Sequence, residues 1–238
     1  MHIKWWYIFL CVFLVIGAYS CSDHAEKRAL ARGKKVLSQR DKEIDDLEEV
    51  RGELRKVIER KITAVGLLES TLRLLGRKYI ELGSYRLAEG AFIEAEQLVP
   101  YNAFIKKDLG ECYYFLALSA VESEEKEEYI ELSRAYYRKA LDIDPDLIEA
   151  RYGYGLLLFF GYGDPTGAID EMKFILDHDP KHVAAHFALG RFYYETGELG
   201  KALNEYISLT RILPHSSPKQ SKVEENINKI NRELGVNE

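Results

Sequence analysis

Residues that could do chemistry are few in this sequence, and their spacing limits what they can do. His178 and His182 stand four apart, the interval at which one helix face can hold a metal ion, but Pro180 between them breaks the register such a pair needs. Cys112 lies on an apolar face between Leu109 and Tyr113, the setting of a small core residue rather than of a reactive thiol. The other cysteines, Cys11 and Cys21, fall within and at the end of an apolar N-terminal run, so the body of the chain holds no second thiol for a disulfide. No Gly-rich phosphate loop, paired Cys or His ligand spacing, or nucleophile motif occurs. These positions predict no catalytic residues, no metal and no cofactor, and a chain that is not an enzyme.

The formal charge of −6 comes from interleaved acidic and basic residues, without the basic stripe that would follow a phosphate backbone, and this excludes nucleic acid as a partner. Charge is absent from Trp5 to Tyr19, an apolar run preceded by Met1-His2-Ile3-Lys4, which is the pattern of a signal peptide. The run is shorter than the roughly 20 apolar residues of a comfortable transmembrane helix. It ends in Gly17-Ala18-Tyr19-Ser20-Cys21, which resembles the lipobox of bacterial lipoproteins through Ser20 and Cys21. That resemblance implies a signal peptide at 1–20, lipidation of Cys21, and a place in the bacterial cell envelope facing the periplasm or the cell exterior. Lys27, Arg28, Arg32, Lys34 and Lys35 follow the run closely. Were the run left uncleaved, the positive-inside rule would keep the body of the chain in the cytoplasm on an inner-membrane anchor.

The elements that must position any binding surface begin with a proline-free, densely charged segment at 21–68. From Ser22 to Leu72 its pattern predicts one long helix with a heptad seam. Leu37, Ile44, Arg51, Ile58, Val65 and Leu72 form one row, and Arg40, Leu47, Leu54, Lys61 and Leu68 the other. Such a helix is either a dimerising, distance-setting stalk or one whose stripe packs against the first repeat after it, and Gly33, Gly52 and Gly66 are places where it could break.

Beyond it, Pro100, Pro145, Pro180 and Pro214 recur after similar apolar and small-residue patterns. Residues 69–102 carry Leu72, Leu75-Gly76, Tyr79, Gly83, Ala88, Phe92, Ala95 and Pro100; residues 183–216 carry His186, Leu189-Gly190, Tyr193, Gly197, Ala202, Tyr206, Leu209 and Pro214. The pattern resembles the tetratricopeptide repeat, a helix-turn-helix unit of about 34 residues. The second copy, 103–147, holds an acidic insertion of about eleven residues relative to that unit, including Glu122 to Glu128. The third, 148–182, has one extra residue in the Gly161–Pro165 turn. The resemblance implies an all-α solenoid of about four repeats, with the N-terminal helical spacer before it. A capping helix and tail at 217–238 closes it, opened by Ser217-Pro218 and carrying the stripe Val223, Ile227, Ile230 and Leu234.

In that family the first helices of the repeats line a groove that takes protein ligands. Carried onto this chain, the groove positions include Arg73, Arg77, Lys107, Tyr114, Tyr152, Phe159, Phe187, Arg191 and Tyr194, basic at the first repeat and aromatic in the middle. Arg77 and Glu111 stand where the chaperone-type carboxylate clamp needs Asn, so chaperone tails are not the expected partner. The expectation is a membrane-anchored scaffold for protein–protein interaction, an assembly or docking factor with a protein or peptide partner in its groove. Two alternatives stay open: a hydrophobic-ligand-binding periplasmic component of a transporter, and a cytoplasmic adaptor on an uncleaved anchor.

Overall fold

The computed structural model describes residues 23–38 and 44–235. The expected signal peptide and Cys21 lie outside the described residues. No strand occurs among the described residues. The chain divides into two compact units, Met1–Leu68 and Glu69–Glu238, and helix α2, Ile44–Glu81, contributes to both.

In the first unit, helix α1, residues 23–38, lies antiparallel to the first half of α2. Arg32 meets Glu49 at 2.5 Å and Glu26 meets Lys61 at 2.6 Å, so rising positions on one helix pair with falling positions on the other. The expected single helix is therefore a helical pair. Ala29, Gly33 and Val36 face Val50, Leu54 and Val57, and a Cβ on Gly33 would rest 3.4 Å from Leu54. The buried row is thus displaced from one expected seam: Val50 is 4% exposed whereas Ile58 is 55% exposed. The displacement follows from the partner, because α1 can cover only the face that its own small residues Ala29 and Gly33 allow it to approach.

The second unit pairs helices in tandem. The end of α2 pairs with α3, Tyr85–Leu98; α4, Ala103–Ser119, with α5, Ser123–Ile143; and α6, Ile148–Leu157, with α7, Pro165–His178. The last pair is α8, Val183–Glu195, with α9, Leu199–Ile212, and α10, Gln220–Glu233, closes the unit. Each recurring proline stands two residues past a second helix, where its ring cannot disturb an intrahelical bond. Side-chain caps open the first helices where the sequence allows: Asn102 Oδ1 accepts from Phe104 N–H at 2.9 Å, and His182 Nδ1 accepts from Ala185 N–H at 3.1 Å. Large residues of the second helices sit directly on glycines of the first. Phe92 fills the space where a Cβ on Gly76 would come within 2.5 Å, and Tyr206 does the same over Gly190 at 3.0 Å. Gly83, Gly163 and Gly197 take the left-handed turn between paired helices, with φ of 70°, 64° and 79°.

The acidic insertion lengthens both helices of the second pair, to 17 and 21 residues against 14 in α3, α7 and α9. The extra residue of the third copy is absorbed differently from expectation. It widens the end of α6 into a π-helical turn, Leu158–Tyr162, closed by the Gly163 N–H on Leu158 O. A residue added between two packed helices cannot lengthen the turn without shifting one of them, so the helix end takes it up. At the C-terminal end the Ser217-Pro218 pair lies in the turn before α10 rather than at its start. Val223 and Ile230 are buried on the repeats and Ile227 is partly buried there, while Leu234 is exposed.

Candidate functional site

Two adjoining cavities run along the first-helix face of the second unit. The middle cavity, about 340 Å³, lies between α4 and α6 and is lined by Lys107, Glu111, Tyr114, Phe115, Tyr137, Ile148, Glu149, Tyr152, Gly153, Leu156 and His182. The terminal cavity, about 420 Å³, lies between α6, α8 and α10 and includes Phe160, Phe187, Arg191, Tyr194, Glu195, Lys222, Asn226 and Lys229. Tyr152 and Leu156 line both, so α6 forms a shared wall and the two make one trough.

Most of the expected groove residues come together here. Tyr114, Tyr152 and Lys107 line the middle cavity; Phe187, Arg191 and Tyr194 line the terminal one. Arg191 lies over the Phe160 ring at 4.5 Å, and Lys229 over the Tyr194 ring at 4.1 Å, while Tyr194 Oη donates to Glu233 at 2.5 Å. Phe159 does not line either cavity. The π-helical turn points it inward, stacked on buried Phe192 with centroids 4.2 Å apart, and Phe160, the next residue, takes the exposed position.

The expected basic end of the groove is neutralised from within. Asp108 is fully buried; its Oδ2 accepts from Arg73 Nε at 2.8 Å, and its Oδ1 sits 2.6 Å from Lys107 Nζ without hydrogen-bond geometry. Glu69 lies 3.7 Å from Arg73, and Glu111 lies 3.1 Å from Lys107. Arg73 therefore braces α2 against α4, Lys107 is matched by carboxylates of its own helix, and burial opposed by those carboxylates leaves the Lys107 ammonium above its ordinary range. Arg77 is exposed and lines neither cavity.

Two contributions escaped the sequence. Tyr137 reaches the middle cavity from the second helix α5, passing over Gly110 to end on Gly153, where a Cβ would come within 2.4 Å of its hydroxyl. A glycine on the groove face of α6 is the signal that could have shown it. The capping helix adds Lys222, Asn226 and Lys229 to the terminal cavity; their spacing beside the Val223 and Ile230 stripe is the signal that could have shown them. The two histidines of interest serve the scaffold. His178 stacks on Phe174 at 4.2 Å, and His182 caps α8.

The sequence profile of the tetratricopeptide repeat matches residues 159–223. Among characterised proteins, the anaphase-promoting complex subunit CDC16 of Saccharomyces cerevisiae is 24% identical over 149 residues, which is 60% of this chain; the chain spans 16% of that relative's length. Among solved structures, a thermophilic TPR protein of Thermus thermophilus superposes with a TM-score of 0.62 at 19% identity, covering 74% of this chain and 95% of that one. The MamA protein superposes with a TM-score of 0.53 at 20% identity, covering 71% of this chain and 84% of that one. The fold of the second unit is thus an all-α tetratricopeptide-repeat solenoid.

Proposed function

We propose that this chain is a scaffold for protein–protein interaction whose trough holds an extended segment of a partner protein, and that its N-terminus fixes it to a bacterial cell envelope. The trough carries the first part: two adjoining cavities with half-buried aromatic walls run across three successive first helices, a length and chemistry suited to a chain rather than to one compact molecule. The apolar run ending at Cys21 supports the second part.

Alanine at Tyr152, Phe160 and Phe187 together should remove the partner from affinity captures made from native membranes, with the helical content retained. Captures unchanged by the triple substitution would count against the trough. For the anchor, metabolic labelling with a fatty acid should mark the parent chain and spare Cys21→Ala. Equal labelling, or none in either, would argue for another attachment.

A further inference from the structure

The middle cavity has a chemistry of its own. Tyr137 is 3% exposed, and among the described residues no group hydrogen-bonds its hydroxyl, which ends on the Gly153 backbone in the cavity wall. A phenol hydroxyl that opens into a ligand-sized space without a protein partner is available to hydrogen-bond a polar group entering it. Around it stand the rings of Tyr114, Phe115 and Tyr152, with Glu111 and Glu149 on the first-helix faces. Glu149 is exposed and has no ionic partner among the described residues. Lys107 supplies a positive charge here, already matched by Asp108 at 2.6 Å and Glu111 at 3.1 Å.

We propose that this cavity takes the basic side chain, an arginine or a lysine, of the segment that occupies the trough. The proposal rests on the trough reading above and specifies the anchor it accepts. Aromatic faces attract a cation through their quadrupoles, most strongly where water is excluded. Ile148 and Leu156 offer apolar surface to the aliphatic stem, as long basic side chains require. The Tyr137 hydroxyl can accept an N–H from the cationic head, and Glu149 is placed to balance its charge. An acidic anchor would face Glu111 and Glu149 together, and an apolar one would leave the Tyr137 hydroxyl unmet. Burial raises the Tyr137 hydroxyl pKa, and the Glu111 and Asp108 charges raise it further.

The test is an NMR titration of the full chain with three capped pentapeptides, Ala at every position except the third, which is arginine, citrulline or leucine. Citrulline keeps the shape of arginine and removes its charge. The arginine peptide should shift the Tyr152 and Gly153 amides and bind about tenfold tighter than the citrulline peptide. Glu149→Gln should weaken arginine binding severalfold while leaving citrulline binding unchanged, and Tyr137→Phe should weaken both, since both head groups donate an N–H. Equal or tighter binding of citrulline, or of leucine in the same cavity, would overturn the basic-anchor proposal and leave the trough reading standing. If no peptide perturbs Tyr152, Gly153 or Phe187, both fall.

Discussion

Asp108 Oδ2 accepts a hydrogen bond from Arg73 Nε at 2.8 Å across the junction of α2 and α4, with Asp108 wholly removed from solvent. Removing one partner of a buried ion pair strands the other, at a cost of about 3–5 kcal/mol, whereas apolar residues at both positions can be near neutral. Asp108→Ala should therefore lower the urea unfolding free energy by that amount. The double replacement Asp108→Leu with Arg73→Met should recover the part of the loss that comes from stranding Arg73, while Lys107 lacks its Asp108 partner in both variants. Equal stability of Asp108→Ala and the parent would show that the pair does not brace the helices.

Glycine to alanine should change stability in opposite senses at two helical positions. Gly52 has no atom within 4 Å of a built Cβ, so Gly52→Ala should stabilise by about 1 kcal/mol through helix propensity alone. Gly153 carries the Tyr137 hydroxyl 2.4 Å from the same point, so Gly153→Ala forces a repacking that costs about 1–3 kcal/mol. Thermal melts of the two variants should move in opposite directions.

The pairing of α1 with α2 predicts where a charge is tolerated. Val50→Asp buries a carboxylate among apolar groups and should strip hydrogen-exchange protection from residues 23–38. Ile58→Asp, at a position 55% exposed, should leave that protection intact. The opposite ranking would restore the expected heptad seam.

Burial pushes the Cys112 thiol up to about 12, and its Sγ lies 3.4 Å from Tyr85 O. Maleimide should label Cys112 only after denaturation. Burial also raises Tyr113, Tyr136, Tyr137 and Tyr206 above the ordinary phenol range. All these groups hold their protons more tightly folded than unfolded, so the stability they contribute is intact below about pH 9 and lost as pH rises towards 12. Urea midpoints should be flat from neutral pH to about 9 and fall beyond it; a midpoint that rose with alkali would contradict the sign.

The helical pairs were legible because their determinants are local. A proline two residues past each second helix, and a small residue under each large one, survive in the sequence as spacing. Phe159 was misplaced because the extra residue of its repeat could be stored in the turn or in the helix, and periodicity does not say which; the π-helical turn decided it. Arg73 and Lys107 looked available because charge is legible in sequence and pairing is not. The Asp108 that neutralises them sits 35 residues from Arg73, a relation only the stacking of adjacent repeats creates. The seam of α2 differed for a similar reason, since the face an amphipathic helix buries depends on which partner arrives.

The central claim is that the trough is occupied by a partner protein. A photo-crosslinking residue placed at Phe160 or Phe187, on the trough, and at Lys173 or Arg211, exposed on the second helices, puts that claim to the most direct test in cells of the host. A discrete crosslinked partner from the two trough positions, absent from the other two, is the predicted result. Crosslinks only from Lys173 and Arg211, or none from the trough, would contradict it.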